Sequence, residues 1–347
     1  MLGVAPYPTS VASTRLRLLP VLRELEGRGH EVVFESFLDD IEMPQWFGTT
    51  GQRARVLGAA LMRFTARLVK SDAPDLLLIQ REALPLNWLS LERKFGSAKK
   101  IWDIDDACWN DAGWPKSMIR GSAPKFAQLA TLVDETWAGS TFTAASARVF
   151  GSPEVHPVPT CAPDNVSIEF KRAEKLAVWV GTPSTAPFIH PIVQNIAPRN
   201  PDWTFVILGG EAPVTTSPNV IYRRWTLSSE SDLLSRARVA LYPLPIGDGS
   251  IQGKSGFRAN LYRSFGVPVI ANSDASTCEV MGDPWVGGVR ADSPREWREA
   301  FSRFNDVNFA AVMGEAGYSH VRNHYSLTGW SRALADRCER LVLGVTT

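Results

Sequence analysis

Short apolar runs alternate with helix-periodic stretches along the whole chain, and this alternation restricts the fold more than any other feature. The runs are "EVVFESF", "PDLLLIQ", "KKIWDID" and "ETWAGS", then "KLAVWVGT", "WTFVILGG", "NVIYRRW", "ARVALYPLP" and "VPVIAN". Strand-length apolar runs separated by amphipathic helices build βα units and parallel sheets. The opening "LGVAPYP" reads as a further strand entering a loop, and Leu18, Leu22 and Leu25 recur at helical spacing behind it. Between the two groups of runs stands "SPEVHPVPTCAPDNVSIEFKR", rich in proline and without periodicity, which reads as an interdomain linker. At 347 residues the chain exceeds the roughly 250–300 residues at which single cores stop growing. The expectation is an α/β protein of two Rossmann-like doubly wound domains facing across a cleft. Residues 1–165 form the first and 172–325 the second, and the pattern "YSLTGWSRALADRCERLV" predicts a last helix, 326–347, that crosses back to the first.

Charge and cysteine usage exclude several classes. With 37 basic and 36 acidic residues the formal charge is +1, so no global field recruits nucleic acid or an anionic membrane, and any anion site is local. Cys108, Cys161, Cys278 and Cys338 stand far apart with no CxxC, which argues against zinc and against a disulfide framework. They read as reduced thiols of a cytoplasmic protein. "MLGVAPYPTS" lacks a signal-peptide pattern, and no window approaches the ~18 apolar residues of a membrane span. The segment "GQRARVLGAALMRFTARLVKSD" sets Leu57, Leu61, Phe64 and Leu68 on one face with Arg53, Arg63, Arg67 and Lys70 elsewhere. Such a helix can lie peripherally on a membrane, but packing on a sheet is favoured.

The stretch "GKSGFRANLYRSFGVPVIAN" holds the clearest chemistry. Ser255 is the expected N-cap, Lys254 and Arg258 are four apart beside the helix start, and Gly253 and Gly256 admit a ligand close to the backbone. Free amides and the positive dipole end meet two cations there, which makes a diphosphate site without a P-loop. Phe257, Leu261 and Phe265 point inward, and Gly266 and Pro268 end the helix before "VIAN". No G-x-G-x-x-G follows the first strand, which disfavours a dinucleotide dehydrogenase.

This run resembles the C-terminal-domain signature of retaining GT-B glycosyltransferases of the glycosyltransferase family 4-like type, through Gly253, Lys254, Gly256, Arg258, Tyr262, Gly266, Pro268 and Val269. "VWVGTPSTAPFI" is similar to the family's first C-domain strand and loop, and "KKIWDIDDACW" to the "DxDDAIW" element of one branch. The resemblance implies a GT-B fold and transfer from a nucleoside-diphosphate sugar, the co-substrate, with no further cofactor and no bound metal. It implies donor binding by Gly181, Thr182, Ser184, Thr185, Gly253, Lys254, Ser255, Gly256, Phe257 and Arg258. It names neither base, sugar nor acceptor, nor an oligomeric state.

The departures are specific. Two glutamates common in the family, one near the donor sugar and one near the ribose, align here with Gly253 and Leu261. Asn260 is one position away, about 100° round a helix, and does not replace Leu261. The loop after "VWVG" lacks the Arg and Lys pair that many relatives aim at the diphosphate. A sugar-nucleotide epimerase and a non-catalytic sugar-nucleotide binder therefore stay open beside the transferase.

The remaining candidates lie in the first half. Asp103, Asp105 and Asp106 end an apolar run. They read as a hard-cation site, as solvated carboxylates, or, in the favoured reading, as Asp105 or Asp106 orienting the donor sugar or the acceptor hydroxyl and stabilising an oxocarbenium-like centre. Asp105, Asp106, Lys254 and Arg258 are then the catalytic candidates. Ser13, Arg15 and Arg81 are the acceptor-side candidates, and Arg17 is a second arginine able to approach a ligand from "ASTRLR". His30 reads as structural, while His190 either reaches the site or lies on a helix surface. No Ser-His-Asp or Cys-His pattern marks a covalent nucleophile.

Overall fold

The computed structural model describes residues 1–46, 48–70, 72–86, 89–110, 123–164, 168–213, 217–245, 251 and 253–345. Residues 165–167 of the expected linker, and residue 71 and the Lys70 side chain of the basic segment, lie outside them. The chain divides into two compact units, Met1–Thr160 with Gly253–Ser255 and Leu327–Thr347, and Cys161–Gln252 with Gly256–Ser326.

The first unit is built on β1 (Leu2–Ala5), β2 (Val33–Ser36), β3 (Leu76–Gln80), β4 (Lys99–Ile104), β5 (Glu135–Ala138) and β6 (Val155–Pro157). They form one parallel sheet in the order β2-β1-β3-β4-β5-β6. β3 is buried along its whole length because helices cover both faces, as an all-parallel sheet requires. Leu76 and Leu78 meet the helix Leu19–Gly27, through Leu22 and Leu25, and the helix Leu327–Leu343, through Leu334 and Ala335. Leu77 and Ile79 meet Val56, Ala60, Phe64 and Leu68 of the helix Thr50–Lys70 on the other face. The basic helix thus packs on the sheet. Its buried stripe is rotated toward Val56 and Ala60, leaving Leu57 and Leu61 half-buried. Arg63 pairs with Asp39 and Glu42, and Arg67 with Glu35. Among the described residues no helix is long and apolar enough to cross a membrane. Arg337 of the C-terminal helix is clasped by Glu135 at 2.6 Å and Glu154 at 2.7 Å.

The second unit carries β7 (Leu176–Val180), β8 (Thr204–Leu208), β9 (Val220–Arg223), β10 (Val239–Tyr242), β11 (Val269–Ala271) and β12 (Gly288–Arg290). They are parallel in the order β12-β11-β10-β7-β8-β9. Alternate residues again serve two layers. Val178 and Val180 pack with Leu233, Leu234, Leu261 and Tyr262, while Ala177 and Trp179 pack with Ile189, Val193, Trp297 and Phe301. Strand order reverses between β1 and β3 in one sheet and between β7 and β10 in the other. Ligands of doubly wound sheets bind outside the strand ends at such points.

His320, on the helix Val307–His324, stands 4.7 Å ring to ring from His324 and 5.8 Å from Tyr325. Burial, and then the positive charges of Arg263 and His324, push its pKa down from 6.5 to about 4. Between these values the unfolded chain binds the proton that the folded chain refuses, so stability falls as pH drops from about 6.5 to about 4 and levels off below. His320→Gln is expected to remove that component of the pH dependence of urea unfolding.

Candidate functional site

The switch point of the first unit is lined by the turn after β1, the end of β3 and the end of β4. The turn enters the π-helical segment Thr14–Leu18. Thr14 Oγ1 lies 3.1 Å from the Tyr7 carbonyl and 3.0 Å from Gln80 Oε1, and Gln80 Nε2 donates to the Ser13 carbonyl at 2.8 Å. Ser13 and Arg15 are half-exposed here, with Arg15 Nη1 donating to the Ser10 carbonyl at 2.6 Å. Arg17 does not face a ligand. It is buried, gripping both Asp103 oxygens through Nε at 3.1 and 3.0 Å, while Nη1 donates to the Val158 carbonyl at 2.8 Å and Thr160 Oγ1 at 3.0 Å. Sequence spacing gave no sign of this, because the partner lies on β4, 86 residues away.

Asp103 is therefore structural, and its neighbours differ. Asp105 is buried to 9% exposure, and its Oδ1 has no hydrogen-bond partner among the described residues. The nearest cation is Arg81 Nε at 3.6 Å. Arg81 itself has a left-handed backbone, φ 57°, pinned by its N–H donating to the Asp103 carbonyl at 2.8 Å and its carbonyl accepting from Trp102 Nε1 at 2.8 Å. Its guanidinium sits 5.7 Å over the Tyr7 ring. Burial alone would lower the Arg81 pKa, but the surrounding negative charge, Asp105 first, holds it well above the ordinary value. A non-glycine residue so constrained stores strain of the kind that clusters at functional sites. Asp106 has its pKa raised by burial and then by Asp105, partly offset by Lys254 and Arg81. Lys254 Nζ is 3.5 Å from Asp106 Oδ2. Cys108, between these charges, is pushed up to about 12 by burial and stays a thiol.

Residues 253–255 group with this unit and not with the second, because Gly253 lies against Ala107 and Phe142, where a Cβ would come within 2.7 Å of each. Ser255, buried, is not the N-cap. The helix starts later, at Phe257–Ser264, with Gly256 as N-cap at φ 62° and no side-chain cap bond. Gly256 is required there twice over, by its left-handed backbone and by a Cβ position only 2.6 Å from the Ser276 carbonyl. Lys254 precedes the helix, so it does not share a helical face with Arg258.

In the second unit the loop after β7 runs Gly181 to Thr185 and enters the helix Ala186–Ile196. Its hydroxyls are mutually tied: Thr182 Oγ1 lies 2.9 Å from Ser184 Oγ, and the Thr182 amide donates to Thr185 Oγ1 at 3.2 Å. Gly181 sits against the Trp179 indole, where a Cβ would fall 2.1 Å from the ring. The Arg258 guanidinium stands 5.9 Å over that same ring. Tyr262 joins the two elements, its hydroxyl accepting from the Val180 amide at 2.9 Å, and burial pushes its pKa up to about 12. Half-buried Phe257 packs on the core from the helix start. Leu261 is a core residue, and Asn260 is fully buried with Oδ1 accepting from Arg263 Nη2 at 2.6 Å, so neither faces a ligand. His190 bonds the Glu211 carbonyl at 3.0 Å. Trp179 and Trp225 were missed by sequence reasoning, although each closes a strand-like run in a position where ligands bind.

No protein-family model matches the sequence, and no curated protein does. Solved structures do match. Sucrose-phosphate synthase from Thermosynechococcus elongatus superposes with TM-score 0.72 at 12% identity over 99% of each chain. The fold is GT-B. HepE of Anabaena, solved with UDP-glucose, gives TM-score 0.64 at 11% identity over 97% of this chain and 99% of its own. TarM gives TM-score 0.62 at 11% identity over 83% of this chain, which spans 58% of TarM.

The Arg17–Asp103 pair has side chains 3% and 4% exposed. Arg17→Ala leaves a buried carboxylate uncompensated, and urea unfolding is expected to show a loss of about 3–5 kcal/mol, most of it recovered in Arg17→Met/Asp103→Leu.

Proposed function

We propose that the chain is a glycosyltransferase that moves a sugar from a nucleoside-diphosphate sugar to an acceptor hydroxyl, retaining the anomeric configuration and needing no divalent metal. The observation that carries this reading is the start of the helix Phe257–Ser264, a helix N-terminus without a side-chain cap. It stands at the β7/β10 switch point with Arg258 over Trp179. Backbone amides there are ready donors for a diphosphate. The GT-B fold supports the reading, and so do the UDP-glucose held by HepE and the UDP and GlcNAc held by the pneumococcal O-GlcNAc transferase GtfA.

In this reading the diphosphate is held by the Gly256 and Phe257 amides with Arg258, and Gly253, Lys254 and Ser255 are the further donor-binding candidates. Gly181, Thr182, Ser184 and Thr185 flank it with amides and hydroxyls. As the bond from the anomeric carbon to phosphate breaks, negative charge grows on the leaving oxygen, where preorganised amides and cations act most strongly. The acceptor oxygen bonds the anomeric carbon on the same face, and its proton passes to that leaving oxygen. Asp105 or Asp106 orients a sugar hydroxyl, and Ser13, Arg15 and Arg81 serve the acceptor side.

A second reading has one observation behind it: Gly253 and Leu261 replace two carboxylates, which fits a non-catalytic sugar-nucleotide binder. Products separate the readings when UDP-, GDP- and ADP-sugars are incubated with a panel of hydroxylic acceptors. Free nucleotide with a linkage that keeps the donor's anomeric configuration, unchanged by EDTA, supports the transferase. Intact bound donor supports the binder, and an epimerised donor refutes both. In calorimetry, Arg258→Ala or Lys254→Ala is expected to weaken nucleoside-diphosphate binding by roughly 1.5–3 kcal/mol, the worth of a charged hydrogen bond. Turnover should fall as well, since the same groups meet charge that grows in the transition state. Unchanged affinity in both variants would overturn the diphosphate assignment.

A further inference from the structure

Two buried charged side chains that the chemistry above does not use hold the left-handed turn at Arg81. Lys125, on the helix Ala123–Leu132, has a side chain only 1% exposed. Its Nζ donates to Glu82 Oε2 at 2.6 Å and to the Leu84 carbonyl at 2.5 Å. Between those two anchors the Ala83 amide donates to Glu92 Oε1 at 3.2 Å. Glu92, from the short helix Ser90–Lys94, is fully buried, and its Oε2 has no hydrogen-bond partner among the described residues. Burial raises the Glu92 pKa, offset in part by the charge of Lys125.

Every residue of the turn is therefore tied to something outside it. Arg81 is held through both backbone groups, by the Asp103 carbonyl and the Trp102 indole. Glu82 and Leu84 are held by Lys125, and Ala83 by Glu92. The Glu82 amide closes the turn on the Gln80 carbonyl at 2.7 Å. Left-handed backbone at a residue other than glycine persists only where the surroundings over-determine it. A lysine this buried is itself costly, and an apolar side chain would fill the space without that cost. An apolar side chain would not supply two donors aimed at the two sides of one turn. The direction of the Arg81 side chain depends on that turn. Relaxation to negative φ would swing the guanidinium away from Asp105, 3.6 Å from its Nε, and from the Tyr7 ring.

Resting on the acceptor-side reading of Arg81, we infer that Lys125 is a positioning residue for the transfer: by bonding Glu82 and Leu84 it keeps the turn left-handed and the Arg81 guanidinium beside Asp105. Lys125 touches no substrate. Its effect on the reaction passes through Arg81 and leaves donor binding unchanged.

Lys125→Met keeps the length and apolar stem of the side chain and removes both bonds, while Lys125→Arg keeps donors for both acceptors. NMR of the full chain with isotope-labelled arginine reads the placement of Arg81 without any ligand. The Arg81 Nε–Hε resonance, identified by its loss in Arg81→Lys, is expected to move or broaden in Lys125→Met and to return in Lys125→Arg. The Arg17 resonance, from the pair with Asp103, should stay in place and so verifies the fold. Glu82→Ala removes one of the two bonds and should move the Arg81 resonance less, which keeps the test open if Lys125→Met does not fold. An Arg81 resonance unmoved in both variants overturns the inference. Transfer is then followed from UDP-glucose to methyl glucoside, glycerol and octyl glucoside as acceptor probes. Lys125→Met is expected to raise the acceptor KM by about 10-fold or more at unchanged donor KM. Added to Arg81→Ala it should change the acceptor KM by less than about 2-fold, since residues that act as a unit are not additive. Additive losses overturn the inference and leave the donor reading standing. Absence of nucleotide binding and of transfer from any UDP-, GDP- or ADP-sugar in the unaltered protein overturns the donor reading, and the arginine resonance still decides whether Lys125 places Arg81.

Discussion

The hydrogen bond from the Val180 amide to the Tyr262 hydroxyl fixes where the helix Phe257–Ser264 sits on its sheet. Val180 ends an inner strand, so its amide has to be satisfied by something arriving from above the strand end, and a buried phenol needs a partner in turn. One bond answers both needs. The helix start is then held from the other side by Gly256, which presses on the Ser276 carbonyl. Ser276 belongs to a helix, Ala275–Met281, capped by Asp274 through the amides of Ser276 and Thr277. Three contacts, each local and each demanding a particular residue type, leave an uncapped helix N-terminus at the switch point of the sheet. The site follows from satisfying the backbone.

In the first unit three nearby aspartates show how burial assigns roles. Asp103 and Asp105 are two apart at the end of β4 and so share a side of the chain. Asp103 is consumed by Arg17, Asp105 faces Arg81 at a distance too long for a hydrogen bond, and Asp106 meets Lys254. The Arg17 pair anchors the turn after β1 to the sheet and to the Val158 carbonyl, which gives the switch point a rigid floor. Above that floor the unsatisfied Asp105 oxygen and the left-handed Arg81 are both costly, by about 1–3 kcal/mol each. Both costs fall beside the switch point, above a well-packed base.

Much of the architecture was legible in the sequence. Every apolar run taken as a strand became one, because a parallel sheet covered on both faces buries continuous runs and leaves no other reading for "LLLIQ" or "LAVWV". The glycines and the tyrosine of the "GKSGFRANLY" stretch were legible for a related reason, since left-handed backbone and close approach admit few residue types. Side-chain partnerships across elements were not. Ser255 looked like an N-cap because composition cannot reveal that the preceding backbone turns left-handed one residue later. Arg17 looked ligand-facing because Asp103 lies 86 residues away. The basic helix had the right amphipathicity but a stripe offset by one position, as small residues such as Ala60 can occupy a core contact without raising the apolar pattern.

The two departures from the family resemblance offset one another electrostatically. The loop Gly181–Thr185 carries hydroxyls where many relatives carry an arginine and a lysine, while Gly253 and Leu261 stand where relatives carry glutamates. Losing the cations alone would weaken the hold on a diphosphate. Losing the glutamates alone would remove hydroxyl acceptors but also two charges that repel phosphate. In the proposed site, losing both sets would keep the balance of charge nearly constant and leave the work to groups that need no counter-ion. These are the helix amides after Gly256, the loop hydroxyls, and Arg258 lying over an indole. Such dipolar and cation–π partners act at contact range, where salt screens less than it does between separated charges. A chain with a formal charge of +1 has no long-range field to draw an anion in. In the proposed site, recognition therefore rests on short-range geometry, which is why each glycine and indole around β7 is packed to within contact of the next.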